Sequence, residues 1–420
     1  MTRNDSESPL AAQTQLISLP TEILGDIFLH SIPELGDGDG PRAHFPWILS
    51  HVCRYWRTTA LSFQKLWSFL DVEQTQENEE GESPTPSLME TYLARSGEHP
   101  LSFRLVYSPE TIHGHPFLET LCRHSRRWKD VQFVSLPLFA LGSLSEGEED
   151  EYPILRSIVF SRTEFDPDAV GEQPILNPIP WSQLTRYHEH ECPWYPNSER
   201  QWEIIQQLAS VVDFCAAFND VSGLDSPIQF PRLKFASLAI DRRSESSDLS
   251  IDDVLDCFDA PHLEGLNLNL VANGATNPLI RMPQKFPALK ILRLCGIIGI
   301  TELDLMDVLS HMPTLTETFI DMQNLDATPI LRLFATSTGG STVVPKLQVL
   351  RFANLSHVDQ PRRACTAPDL YVALAVAARL GNGQYNVRWS EIAEGAGRMG
   401  HPGPRDRSRR FLECADGNVD

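Results

Sequence analysis

One repeated phrase limits what this chain can fold into. Pro-x-Leu-x-x-Leu-x-Leu, or a close variant, recurs as Pro153-Leu155-Ile158-Phe160, Pro231-Leu233-Ala236-Leu238, Pro261-Leu263-Leu266-Leu268, Pro287-Leu289-Leu292-Leu294, Pro313-Leu315-Thr318-Ile320 and Pro345-Leu347-Leu350-Phe352. Counted from the first Leu of each phrase, the last steps are 30, 26, 26 and 32 residues. The closing positions alternate, which suits a short strand with one buried face. Helical patterns lie between the phrases: Ile251, Val254, Leu255 and Phe258; then Leu303, Leu305, Met306, Val308, Leu309 and Met312; then Ile330, Leu331, Leu333 and Phe334. Each unit reads strand, turn, helix, and none can bury its apolar face alone. Stacking the units predicts a mixed α/β solenoid with a parallel sheet on its concave face.

The spacing resembles that of leucine-rich repeats. The regular Asn of such repeats is mostly missing, because Asn267 and Asn354 do not supply it in a fixed frame, so an irregular solenoid is expected. Earlier segments continue the alternation: a helix over Leu88 to Arg95, a strand over Pro100 to Val106, a helix over Phe117 to His124 and a strand over Trp128 to Phe133. Ala373 to Leu380 reads as a last helix. The side chains between the strand leucines, Asn267, Asn269, Arg293 and Arg351, are the default candidates for contact with a target protein.

The first part of the chain has a different pattern. Leu19-Pro20 precedes Ile23, Leu24, Ile27 and Phe28, whose spacing places them on one apolar helical face, and Pro33 stops that helix. Thr21 is placed to cap it, and Glu22 suits the positive end of the helix dipole. After a Gly- and Asp-rich interruption, Ile48, Leu49, Val52, Cys53 and Trp56 repeat the spacing, with Arg54 and Arg57 pointing elsewhere; Leu61, Phe63, Leu66, Trp67 and Leu70 follow. A helical module this short has little core, so its exposed apolar remainder calls for a partner or the next domain.

This stretch resembles an F-box, in particular the F-box-like domain of mushroom-forming fungi. The resemblance rests on the Leu19-Pro20 start, the Cys53-Arg54-Tyr55-Trp56-Arg57 element and Leu66-Trp67-Ser68. Ser96-Gly97-Glu98-His99-Pro100-Leu101 and His124-Ser125-Arg126-Arg127-Trp128 resemble further elements of the same family. The loop from Glu34 to Phe45 is longer than in compact F-boxes. The resemblance implies that Leu19, Pro20, Ile23, Leu24, Ile27, Phe28, Leu49, Val52, Cys53 and Trp56 dock a Skp-type adaptor, which in turn binds a cullin.

Composition narrows the remainder. The 420 residues suffice for two or three domains and a sizeable core. The net charge of -21 argues against general nucleic-acid binding, which needs a basic footprint. No apolar run is long enough to span a membrane, and residues 1–15 are polar without a signal-peptide core. The eight cysteines are scattered without a C-x-x-C pair, which fits a reducing cytoplasm or nucleus. The expected organisation is a disordered start over 1–15, a helical module over 16–70, an acidic linker over 71–87, the solenoid over 88–380 and a disordered basic tail over 381–420.

Evidence for catalysis is thin. His188, His190 and Cys192 fall on one face of an alternating stretch and are possible metal ligands, but His-x-His-x-Cys is not a standard zinc spacing. A packing or recognition role is expected there, with Trp181, Tyr187, Trp194 and Tyr195 nearby, and neither a metal nor another cofactor is expected. The pair Asp252-Asp253 fits a helix N-terminus. The F-box resemblance therefore implies a non-enzymatic substrate receptor of a Skp-cullin-F-box ubiquitin ligase, with an interaction scaffold outside a ligase as the alternative and a metal-dependent enzyme built on the His188 to Cys192 stretch as a third reading.

Overall fold

The computed structural model describes residues 19–32, 45–73, 86–107, 116–136, 144, 151–161, 179–190, 198–221, 224, 226–240, 249–269, 281–295, 302–321, 346–347 and 349–353. Within them the chain is mixed α/β. It starts with three helices, α1 (Thr21–His30), α2 (Phe45–Val52) and α3 (Arg54–Ser62), and a 3-10 turn over Gln64–Ser68. The N-cap of α1 is Pro20 rather than Thr21. Pro20 is already extended and its carbonyl accepts the Leu24 N–H at 3.0 Å, whereas the Thr21 hydroxyl only donates to Glu22. Cys53 caps α3, its Sγ accepting the Trp56 N–H at 3.4 Å.

Strand β1 (Phe69–Glu73) follows at once and corrects the expected boundaries. Asp71 and Glu73 belong to a strand, not to an acidic linker, because Leu70 and Val72 alternate with them and face the core. The chain then runs α4 (Pro86–Ser96), β2 (Leu101–Val106), α5 (Pro116–Cys122), β3 (Trp128–Val134), β4 (Ser157–Ser161), β5 (Arg186–His190), α6 (Ser198–Gln207), β6 (Asp213–Phe218), β7 (Ile228–Gln229) and β8 (Phe235–Ile240). It continues through α7 (Ile251–Asp256), β9 (Phe258–Asp259), β10 (Gly265–Asn269), α8 (Met282–Lys285), β11 (Ile291–Cys295), α9 (Glu302–Ser310), β12 (Glu317–Asp321) and β13 (Val349–Ala353).

Eleven strands form one sheet in the order β1-β2-β3-β4-β5-β6-β8-β10-β11-β12-β13, every pairing parallel. The short strands β7 and β9 pair separately. Parallel neighbours need a crossover, and among the described residues helices α4 to α9 supply six of the ten, between β1 and β2, β2 and β3, β5 and β6, β8 and β10, β10 and β11, and β11 and β12. The repeated phrase maps directly onto this architecture. Its leading apolar residue sits in the turn and the next two on the strand, and all are buried from Leu155, Ile158 and Phe160 to Leu315, Thr318 and Ile320. In register, Ile158 and Phe160 of β4 stand beside Val131 and Phe133 of β3, and Leu266 and Leu268 of β10 beside Leu292 and Leu294 of β11. Each fully buried Leu removed from water contributes roughly 1.5–3 kcal/mol before entropy is counted.

The helices cover the face to which these side chains point. Trp202 of α6 stacks on Phe218 of β6 at 4.9 Å, and Leu305, Val308 and Leu309 of α9 join the same core. Leu303, expected in that helical stripe, is exposed instead: two residues before Leu305, it falls on the far side of the helix. Helix α7 starts as its acidic pair suggested, with a capping box in which Ser250 Oγ accepts the Asp253 N–H and Asp253 Oδ2 accepts from the Ser250 N–H. The expected segments 1–15, Pro329 to Phe334, Ala373 to Leu380 and 381–420 lie outside the described residues.

The helical start and the sheet share one core. The Arg95 guanidinium of α4 lies 4.3 Å above the Trp47 ring of α2 and 4.4 Å above the Trp67 ring of the 3-10 turn, and Trp67 also meets Tyr92 edge-on. Trp67 Nε1 donates to the Ala60 carbonyl at 2.7 Å. Gly97, at φ +54, lies against the Gln64 side chain, where a Cβ would come within 2.8 Å of Gln64 Oε1. The two further family-like phrases meet through Arg127, which donates to Ser96 Oγ at 2.6 Å and to the His99 carbonyl at 3.0 Å.

Candidate functional site

Two surfaces stand out. The first is on the helical start. Helix α1 is apolar on two sides: Leu24 and Phe28 are buried, while Ile23 (48% exposed) and Ile27 (44%) face solvent one turn apart. Helix α2 repeats this division, with Leu49 inside and Ile48 (55%) and Val52 (56%) outside. Both helices pack on α3 through their buried sides, as in the edge-to-face pair of Phe28 and Trp56 at 5.0 Å. The Tyr55 hydroxyl donates to the Leu19 carbonyl, which draws the start of α1 to the junction of α2 and α3. Exposed Leu19 and Val52 therefore flank one junction, with exposed Cys53 between the helices. Gly25 permits this packing, because a Cβ there would lie 2.9 Å from the Phe63 ring.

Sequence spacing treated the apolar residues of this module as one set, and the structure divides them. Leu19, Pro20, Ile23, Ile27, Val52 and Cys53 are exposed; Leu24, Phe28 and Leu49 are buried, and Trp56 is half-buried. The last four can support a docking surface but offer a partner little area. Exposed Ile48 and Leu61 were not among the expected docking residues. The missed signal was the i, i+4 relation of Ile48 to Val52, which repeats that of Ile23 to Ile27.

The second surface is the sheet face turned away from the helices. Asn267 of β10, Arg293 of β11 and Arg351 of β13 share one row of the strand register, and Asn269 lies in the next. Asn267 Nδ2 donates to Ser237 Oγ at 3.1 Å, and Arg293 Nη2 lies 3.8 Å from Glu317 Oε1. Both are thus already engaged across strands. Similar pairs link Arg104 to Asp71 at 3.3 Å and Ser102 to Asp130 at 3.1 Å.

The His188 region lies on β5. As the alternation required, His188 and His190 share the face away from the helices, and Tyr187 and Glu189 point into the core. His188 Nε2 is 3.1 Å from Asp213 Oδ1, and Arg186 Nε is 3.1 Å from Asp213 Oδ2. Burial pushes the Asp213 carboxyl up, but its bond to His188 and the neighbouring Arg186 outweigh this and hold it below the usual carboxylate range. His190 Nδ1 lies 3.4 Å from Cys215 Sγ. Burial and the nearby His188 push His190 down to about 3, and burial pushes the Cys215 thiol up to about 12, so neither is charged at neutral pH. Among the described residues no group of three or more His, Cys, Asp or Glu side chains is placed to hold a metal ion; Cys192 lies outside them.

Glu189 was not singled out by its sequence, although it replaces an apolar residue of the repeat. Its neighbour in register on β4 is Phe160, yet Glu189 is only 2% exposed. Its Oε2 accepts from the Tyr187 hydroxyl at 3.1 Å and from Gln201 Nε2 of α6 at 3.2 Å. Burial raises its carboxyl to about 7 against these two bonds, which lower it. The arrangement is a satisfied polar cluster inside the core and has no access for a substrate.

No family model matches the chain, and no curated protein matches it. Among the described residues no helix is long and apolar enough to cross a membrane.

Proposed function

We propose that this chain is an F-box substrate receptor of a Skp-cullin-F-box ubiquitin ligase. In this reading the helical start docks a Skp-type adaptor, and the parallel sheet with its helices is an irregular leucine-rich-repeat solenoid that binds a target protein. One observation carries the proposal. Of the eight large hydrophobic residues exposed among the described residues, six (Leu19, Ile23, Ile27, Ile48, Val52 and Leu61) belong to the three-helix start. So concentrated an apolar exposure is the mark of a binding face. Arg95, Gln64 and Gly97 join that face to the first helix–strand unit, so a bound adaptor and a bound target would be held in one body. The ligase chemistry would come from elsewhere, the receptor supplying proximity.

The test is a pull-down of the full chain with Skp-type adaptor and cullin. The wild type is expected to retain both, and the double variant Leu19→Ala, Pro20→Ala to lose them while its thermal unfolding stays unchanged. Adaptor retention without cullin would favour a scaffold outside the ligase. Failure to capture the adaptor at all would overturn the F-box reading.

A further inference from the structure

The sheet face opposite the helices is mostly polar along its first row. Ser102, Asp130, Ser157, Arg186 and Asp213 occupy that row on β2 to β6 and Glu317 occupies it on β12, with Phe69 of β1 and Val349 of β13 at its two ends. Between Asp213 and Glu317 the row turns apolar for three consecutive strands: Phe235 of β8, Gly265 of β10 and Ile291 of β11. Phe235 is 44% exposed and, with Leu303, is one of two large hydrophobics exposed outside the helical start among the described residues. Its ring lies over Gly265, where a Cβ would come within 2.7 Å of Phe235 Cδ1, and the Ile291 Cβ is 3.8 Å from the same point. The glycine therefore lets the ring lie flat and makes an apolar shelf across three strands.

One edge of this shelf is positive, although the whole chain carries -21; at its two ends Asp213 and Glu317 are acidic but already paired, Asp213 with Arg186 and His188 and Glu317 with Arg293. Lys234 and Lys290 immediately precede Phe235 and Ile291, and both are exposed. They share a single carboxylate, Glu264, at 3.5 and 2.7 Å, so two ammonium groups face one acid. An exposed aromatic residue beside unbalanced charge is the usual make-up of an energetic hot spot with a polar rim. The charge decides which partner suits it. A basic segment would meet the lysines, whereas a carboxylate placed beside an apolar side chain complements them.

We infer that the Phe235–Gly265–Ile291 shelf anchors a peptide segment of the target protein in which an aliphatic or aromatic side chain stands next to an Asp or Glu. The inference rests on the reading of this face as the target-binding surface. The apolar side chain covers Phe235, and the carboxylate reaches Lys234 or Lys290 as the shared Glu264 does.

A random-peptide display library panned on the full chain tests this. Enriched peptides are expected to pair an apolar residue with a neighbouring Asp or Glu, and their affinity, read by fluorescence anisotropy, to fall about 10-fold or more for Phe235→Ala. Lys234→Glu with Lys290→Glu, two exposed changes that leave the core untouched, should abolish binding of these peptides and restore it to peptides whose acid is replaced by Lys. No enrichment, enrichment of basic peptides, or unchanged affinity in both variants would overturn the inference. Adaptor capture is measured on the same proteins. If peptides bind as described but the adaptor is not retained, the ligase reading fails and the shelf stands; adaptor retention without peptide binding is the reverse.

Discussion

The three-helix start and the eleven-strand sheet use the same aliphatic residues to opposite ends. From β1 to β12, every Leu or Ile on the helix-facing side of a strand is buried, because the inner units lie between two others and the outermost, β1, is closed by the helical start. In the helical start the apolar stripe is wider than the module can cover. Leu24 and Phe28 turn inward, while Ile23 and Ile27, each one position earlier, stay in water. The difference is one of size: three short helices enclose one buried side each, whereas a stack of units covers each of its inner strands from both flanks. An apolar residue therefore adds buried area in one region and exposed area in the other, the area that the proposed adaptor would cover.

That comparison can be broken by experiment. The largest effect is expected in the sheet. Leu292→Ala, at a position with no exposed surface, should lower stability by about 2–5 kcal/mol in thermal or denaturant unfolding. Ile27→Ala in α1 should cost far less, about 0.5 kcal/mol, since that residue is 44% exposed already. Comparable losses at the two positions would show that the helical start is covered in the free protein. The same region should instead respond in binding. Ile23→Glu with Ile27→Glu is expected to abolish adaptor capture without lowering the unfolding temperature.

A smaller effect follows from Glu189. The unfolded carboxyl releases its proton near 4.5 and the folded one at about 7. Folding therefore favours the protonated form. The cost of holding the charge in the core appears as pH rises from 4.5, is complete above 7 and vanishes below 4.5. Glu189→Gln should stabilise the protein by about 1–3 kcal/mol at pH 8 and by little at pH 4. A constant difference across that range would mean the carboxylate is better solvated than its position between Tyr187 and Gln201 implies. Smaller still, Ser250→Ala removes the α7 cap and should cost about 1 kcal/mol, with the adaptor and peptide readouts unaffected.

Much of the sheet was legible because the phrase carries its own period. The units at Leu233, Leu263, Leu289 and Leu315 became strands where the phrase placed them, and their leucines face the core. The units on β1, β5 and β6 were not recognised as repeats, since Trp67-x-x-Leu70-x-Val72, Leu184-x-x-Tyr187-x-Glu189 and Val211-x-x-Phe214-x-Ala216 have other residues where Leu would identify them. β5 was legible only as an alternating strand. β1 was hidden further, because its Trp67 also closes the helical start and the acidic residues after it read as linker. Of the candidate surfaces, Asn267 and Arg293 lie on the expected sheet face, but their bonds to Ser237 and Glu317 occupy them; Phe235, the most exposed apolar side chain there, looked in sequence like one more residue of a strand.

The sequence by itself determined the period and the alternation within most strands, and so a parallel stack of strand–turn–helix units. These follow from short-range spacing, which a chain carries wherever it folds. Only the tertiary structure decided which apolar residues remain outside. Ile23 and Leu24 are neighbours of equal size and hydrophobicity, and nothing local separates them. What separates them is that α3 and Phe63 pack against one side of α1 and none of the described elements covers the other. In the same way, Phe235 became a shelf because Gly265 on the adjacent strand has no side chain to lift the ring, and that relation exists only once two segments 30 residues apart are paired in register.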